Sequence, residues 1–253
     1  MAEPAAAHAT VLGCRVDALD KEAAVRRIVE LVRARGWSSV VTLGTEMVVR
    51  AQRDELFRST INESALVLCD TVGVLYAARA QGVSIPERVS GIDLIEPLCA
   101  ALAREDIPIY LLGGQGDTAQ RAAAALVARH PGLIVAGTHD GYDRDVVPLL
   151  AEMRSSGARV ILVGLGSPAQ EIWIARYLPY SGANVGIGVG GSLDVLAGNV
   201  ARAPAAWRKA NLEWLYRLVT QPQRWRRQLA LPRFVWLWLL ERLAPGRKRS
   251  APQ

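Results

Sequence analysis

The 253-residue chain has only three cysteines and three histidines, and that scarcity removes much metal and thiol chemistry at the outset. Cys14, Cys69 and Cys99 are widely spaced with no Cys-x-x-Cys pair. Such spacing predicts free thiols in a reducing compartment and argues against structural zinc. His8, His130 and His139 have no His or Cys beside them, and no Ser or Cys elbow appears, so neither a metal-ligand cluster nor a histidine-based triad is expected. Long apolar runs are also missing. The longest in the tail, residues 234–240, is seven residues, against the roughly 20 that a spanning helix needs. Residues 1–10 show no cationic stretch followed by an apolar core, so no signal peptide is predicted and the body is expected in the cytoplasm. Carboxylates are left as the proton carriers of any catalysis.

Acids are scarce in one place above all. Residues 202–253 hold 12 of the 30 lysines and arginines but only two of the 24 acids, Glu213 and Glu241, which makes that segment about +10. The remaining 18 cations and 22 acids leave the residues before it at about −4. The same tail carries five of the seven tryptophans: Trp207, Trp214, Trp225, Trp236 and Trp238. An indole settles where one edge is apolar and the other wet, and Lys or Arg lays its stem on lipid while its charge reaches phosphate. The interleaving favours an anionic membrane surface over nucleic acid or an oligomer-forming helical pair. A homo-oligomer stays open.

Up to about residue 197, short apolar runs alternate with longer amphipathic stretches. Strands are predicted over 39–43, 65–69, 107–112, 133–136, 160–164 and 185–189. They are rich in Val, Ile and Leu with little alternation, as in parallel strands covered on both faces. Helices are predicted over 21–35, 45–58, 72–81, 92–104, 118–129, 146–155 and 169–177. The expected fold is α/β, a mostly parallel, Rossmann-like sheet sandwiched by helices. Ala197-Gly198-Asn199 marks the change to helical segments only, about 204–220 and 223–243, split near Pro222 and interrupted by Pro232. The chain thus divides into a catalytic domain over 1–198 and a helical, membrane-docking appendage over 199–253.

Three predicted strands run into glycine: Gly113-Gly114-Gln115-Gly116, Gly164-Leu165-Gly166 and Gly188-Val189-Gly190-Gly191. Glycine lets backbone amides approach phosphate at a helix N-terminus, and open α/β sheets bind ligands at strand carboxyl ends. Three such loops point to a phosphate-bearing ligand. Residues 164–169 match the dinucleotide fingerprint, but no acid follows about 20 residues on to hold a ribose, so no nicotinamide or flavin cofactor is expected. Asp70 ends a buried-looking strand, where a carboxylate serves either as general base or as cap of the next helix. Spacing leaves both open. Gln170 and Glu171 open a helix beside a glycine loop, so the Gln170 amide could read a sugar or a base, and Arg88 is a loop cation near a phosphate site. Asp143-Arg144-Asp145 spells Asp-x-Asp, a triplet too short to carry a metal site, and none is predicted.

The order of motifs resembles a known family. It runs Val41-Thr-Leu-Gly-Thr-Glu46; Asp70; Glu87-Arg-Val-Ser-Gly-Ile-Asp-Leu94; Tyr110-Leu-Leu-Gly-Gly114; and Val163-Gly-Leu-Gly-Ser-Pro-Ala-Gln-Glu171. Then come Gly188-Val-Gly-Gly191, Arg202-Ala-Pro204 and Leu212-Glu-Trp-Leu-Tyr-Arg217, followed by Pro222 and Arg224. From about residue 10 to 235 this resembles the WecG/TagA/CpsF family of bacterial glycosyltransferases. The resemblance implies a peripheral enzyme on the cytoplasmic membrane face that moves a sugar from a UDP-sugar to an undecaprenyl-diphosphate-linked acceptor. It implies inversion, no essential metal, and N-acetylmannosamine, its uronic acid or glucose as the donor sugar. By position Asp70 matches the base, Thr42 a polar active-site residue, and Arg88 and Gln170 pocket residues. Arg217, Arg224 and Arg227 match arginines brought to the donor diphosphate. Gly113, Gly114, Gly164, Gly166, Gly190 and Gly191 complete the expected phosphate-binding set. Two departures flank the expected base: Gly44 where the family often has Asn, and Thr71 where it often has Gly.

Overall fold

A computed structural model describes residues 7–142, 145–209, 212–220, 225 and 229–243. The chain opens with an antiparallel hairpin, β1 (His8–Val11) and β2 (Cys14–Asp17). Its two-residue turn puts Leu12 and Gly13 at φ 49° and 81°, the left-handed pair that matches strand twist. The hairpin escaped the sequence reading because each strand is four residues long, too short for a period to register.

The body is a six-stranded, all-parallel sheet of β3 (Ser38–Leu43), β4 (Leu66–Cys69), β5 (Ile109–Gly113), β6 (Val135–His139), β7 (Val160–Gly164) and β8 (Val185–Gly188). Their order across the sheet is β4-β3-β8-β7-β5-β6. Successive strand residues enter different cores. Val40, Leu66 and Leu68 pack on one face, Val41, Val67 and Cys69 on the other. That double burial is why the strands read as unbroken apolar runs.

One face is covered by α1 (Lys21–Arg33), α5 (Gly91–Arg104), α6 (Thr118–Arg129) and α9 (Ser192–Leu196). The other carries α2 (Thr45–Ala51), α3 (Glu55–Asn62) and α4 (Val72–Arg79) beside the hairpin, then α7 (Val146–Ser156) and α8 (Ala169–Ser181). α1 shows the local logic: Asp20 caps it by accepting from the Ala23 N–H at 2.7 Å, and Ala24, Val25, Ile28, Val29 and Val32 form its buried stripe. The single helix predicted over 45–58 is two, because Asp54 accepts from the Phe57 N–H at 3.0 Å and starts α3 afresh.

The tail folds as α10 (Ala205–Lys209), α11 (Glu213–Thr220) and α12 (Ala230–Leu243). The segment predicted over 204–220 is therefore two helices. Pro232 does not interrupt α12 but sits in its first turn, where no intrahelical N–H partner is required. Nor does α12 stand off the body. It lies along α2 and α4, and Phe234, 2% exposed, enters the core of the hairpin side. Among the described residues no helix is long and apolar enough to cross a membrane.

Candidate active site

The sheet opens between β3 and β8. Their pairing stops at Val40–Ile187, whereas β3 stays paired to β4 up to Leu43–Cys69 and β8 to β7 up to Val163–Gly188. The helices that follow, α2 and α9, leave on opposite faces of the sheet, which makes this crevice the topological switch point. A cavity of about 580 Å³ fills it. Five helices begin at its wall: α2 at Thr45, α4 at Val72, α5 at Gly91, α8 near Gln170 and α9 at Ser192. The first turn of a helix presents unpaired N–H groups and a partial positive charge, so five together make a floor suited to an anion.

At the crevice lip the Thr42 hydroxyl, buried, donates to the Gly188 carbonyl at 3.0 Å and bridges the two strands where their ladder has ended. Asp70, half-buried, follows β4 directly and lines the cavity. The N-cap position of α4 belongs to Thr71, one residue later, so Asp70 is not that helix's cap. Arg88 Nη1 donates to the Asp70 carbonyl oxygen at 3.0 Å, and its Nη2 lies 3.4 Å from Asp93 Oδ2 and 3.8 Å from Glu213 Oε2. Burial by itself would raise the Asp93 carboxyl, but Ser90, Arg202 and Arg88 together hold it below its ordinary value. Arg88 is thereby fixed between the candidate base and two acids.

Gln170 is 3% exposed and both ends of its amide are used. Its Nε2 donates to Glu171 Oε1 at 2.6 Å, and its Oε1 accepts from the Gly190 N–H at 2.9 Å. Glycine at 188 makes room for the pair, since a Cβ there would come within 2.7 Å of Gln170 Nε2. Burial raises the Glu171 carboxyl above its ordinary range, outweighing the Gln170 amide. The amide expected to read a ligand therefore holds the glycine loop that borders the cavity.

The outer wall comes from the tail. Arg208, Glu213 and Trp214 close one side, and Leu231, Phe234 and Trp238 of α12 close another. Sequence reasoning did not place Arg208 and Glu213 at the site: nothing separates Arg208 from the other tail cations, whereas Glu213 stood out as one of the tail's two acids. Arg224, Arg227 and the side chain of Arg217 lie outside the described residues. Gly166, Gly190 and Gly191 line the cavity. Gly113, Gly114 and Gly164 do not: a Cβ on Gly113 would strike the Gly164 backbone at 2.5 Å, and one on Gly114 would strike Thr118, so these glycines serve close packing. Asp145 caps α7 by accepting from the Val147 N–H at 3.0 Å, while Asp143 and Arg144 lie outside the described residues. Among the described residues no group of three His, Cys, Asp or Glu is placed to hold a metal ion.

The model of the glycosyl transferase WecG/TagA/CpsF family matches residues 9–248. The chain belongs to this family. It is 31% identical over 202 residues to the N-acetylglucosaminyldiphosphoundecaprenol N-acetyl-beta-D-mannosaminyltransferase of Bacillus subtilis strain 168, covering 80% of this chain and 79% of that protein. The enzyme of the same name from Bacillus spizizenii is 31% identical over 196 residues, covering 78% and 76%. The protein is thus a glycosyltransferase, and the crevice between β3 and β8 is where Thr42, Asp70, Arg88 and Gln170 meet.

Proposed function

We propose that this glycosyltransferase moves a sugar from a UDP-sugar to a hydroxyl of an undecaprenyl-diphosphate-linked sugar, with inversion and without a metal, for a cell-surface polymer. The observation that carries the reading is Asp70 on a wall where five helices begin. The N-terminal amides would receive the donor diphosphate, and the Asp70 carboxylate would take the proton from the acceptor hydroxyl. That oxygen then forms the new glycosidic bond from the face opposite UDP, which leaves with the bonding electron pair. Arg88 and Arg208 would neutralise the leaving diphosphate, the phosphate displacing Glu213 from Arg88. The lipid-linked acceptor follows the named substrate of the two Bacillus relatives.

The place of work follows from the same reading. The tail's cations and indoles suit peripheral attachment to the cytoplasmic face, and three buried free thiols suit a reducing compartment. Binding to anionic vesicles should weaken, without vanishing, as salt rises, because the indoles are not screened. The donor sugar is set beside the base, where a Cβ at Gly44 would crowd Thr71 Cγ2 at 3.3 Å and lie 3.8 Å from Asp70 Oδ2. A panel of UDP-sugars with a synthetic lipid-diphosphate sugar tests the reading. Release of UDP with a new disaccharide on the lipid is expected, and no transfer from any donor would refute it.

A further inference from the structure

On the outer side of the seam between α2 and α12 lies a second cavity, of about 660 Å³, that the reaction as described leaves unused. Arg50 in the last turn of α2, Arg53 just beyond it and Arg233 on α12 line it. Arg50 is partly occupied: its Nε lies 3.5 Å from Asp54 Oδ2, and its guanidinium sits 5.8 Å above the Phe57 ring. Arg53 and Arg233 make no side-chain hydrogen bond or ion pair with any described residue. Guanidinium groups so gathered in a hollow match an anion with several oxygens, phosphate above all.

Two relationships set the kind of anion. Glu46 lines both cavities, so the two hollows are neighbours across that side chain. Arg233 also stands within an apolar stripe, because Trp236, Leu240 and Leu243 share its side of α12, Leu229 immediately precedes the helix, and all four are exposed. A ligand seated here would meet cations at one point and a run of apolar surface beside it. The helix N-termini of the first cavity are taken by the donor's diphosphate, so a second diphosphate needs cations of its own.

We propose that this groove seats the diphosphate of the lipid-linked acceptor. The polyisoprenyl chain lies along the α12 stripe, and the terminal sugar reaches past Glu46 to Asp70. The inference rests on the acceptor named in the preceding reading. Its test uses the full chain, an Arg53→Ala/Arg233→Ala double variant, and a control, Arg26→Ala/Arg27→Ala, that removes equal charge from α1. Two soluble acceptors are compared: N-acetylglucosaminyl diphosphate on a short polyisoprenyl chain, and an analogue with a neutral linker in place of the diphosphate. The double variant should raise the KM of the diphosphate acceptor about tenfold or more, the equivalent of one charge-assisted hydrogen bond. The KM of the donor and that of the neutral analogue should not move, and the control should match wild type. An unchanged KM for the diphosphate acceptor, or an equal rise with the neutral analogue, overturns the proposal.

A binding arm separates this failure from failure of the transfer reading. Tryptophan fluorescence of the donor-free protein is titrated with short-chain polyisoprenyl diphosphate, with inorganic pyrophosphate and with phosphatidylglycerol vesicles. Wild type should bind the polyisoprenyl diphosphate more tightly than pyrophosphate, and the double variant should lose about tenfold toward the former. Binding without transfer from any donor would leave the groove standing and remove the reaction. Transfer with binding that ignores the double variant would do the reverse. A loss toward vesicles as large as that toward the diphosphate would make the groove a general headgroup site and overturn the assignment.

Discussion

Gln170 Oε1 accepts the Gly190 N–H at 2.9 Å, a bond that ties the start of α8 to the loop after β8. A backbone N–H can only donate, so this bond fixes which end of the amide faces the loop, and Glu171 accepts from the other end at 2.6 Å. Flipping the amide would aim an NH2 group at an N–H and a carbonyl at a carboxyl. Gln170 thus lines the cavity and at the same time holds the glycine loop beside it in place.

Glu171→Gln should therefore be tolerated and Glu171→Ala should not. The buried carboxyl is raised above its ordinary value, and glutamine keeps an acceptor for Gln170 Nε2. UDP binding measured by calorimetry should stay within about twofold for the glutamine variant and fall about tenfold or more for alanine, the loss of roughly one hydrogen bond to a buried group. Equal losses in both variants would sink the orientation argument.

The same residue makes stability depend on pH. Below the unfolded value near 4.5, both folded and unfolded chains hold the Glu171 proton. Above it the unfolded chain releases the proton and the folded one keeps it, so Glu171 costs stability as pH rises until its raised folded value is passed. Asp93, held below its ordinary 3.8, acts oppositely and loses its contribution as pH falls through its lowered value. Relative to wild type, Glu171→Gln should gain melting temperature as pH rises above the ordinary 4.5. A constant difference would mean that Glu171 is ionised in the folded protein.

Asp70→Asn should leave folding and UDP affinity intact and lower turnover by roughly 10²–10⁴-fold, the usual worth of a general base. The mutant's melting curve and single-turnover rate check this. Near-normal turnover would assign proton removal to another group.

Activity should survive EDTA, because the proposed reaction uses the Asp70 carboxylate as base and arginines, rather than a metal ion, to neutralise the leaving diphosphate. Loss on chelation with recovery in magnesium or manganese would shift attention to Asp145 and its neighbours.

Phe234→Ala should cost about 3–5 kcal/mol of stability, the usual penalty for emptying a buried aromatic site. Phe234 sits against Gly73, where a Cβ would lie 3.5 Å from its ring, and it also forms the outer wall of the cavity. Chemical denaturation and donor KM should worsen together. A stable variant with normal kinetics would return α12 to a detachable appendage.

Much of the body was legible because parallel strands buried on both faces must be apolar throughout. β3, β7 and β8 fall almost where the runs of Val, Ile and Leu put them. Asp70 was visible as the carboxylate ending such a run, and Gln170 as the amide opening a helix. What the chain order could not contain is which strands become neighbours. Only the crossover that sets β8 beside β3 brings the Gly188 carbonyl to Thr42, and the pairing of β8 with β7 brings the Gly190 amide to Gln170. Glycines that looked alike in sequence then separate, Gly190 facing the cavity and Gly113 wedged against Gly164. Composition alone marked the tail as basic and aromatic. Packing decided that one of its residues, Phe234, belongs to the core, because burying an aromatic ring outweighs leaving the helix free in water.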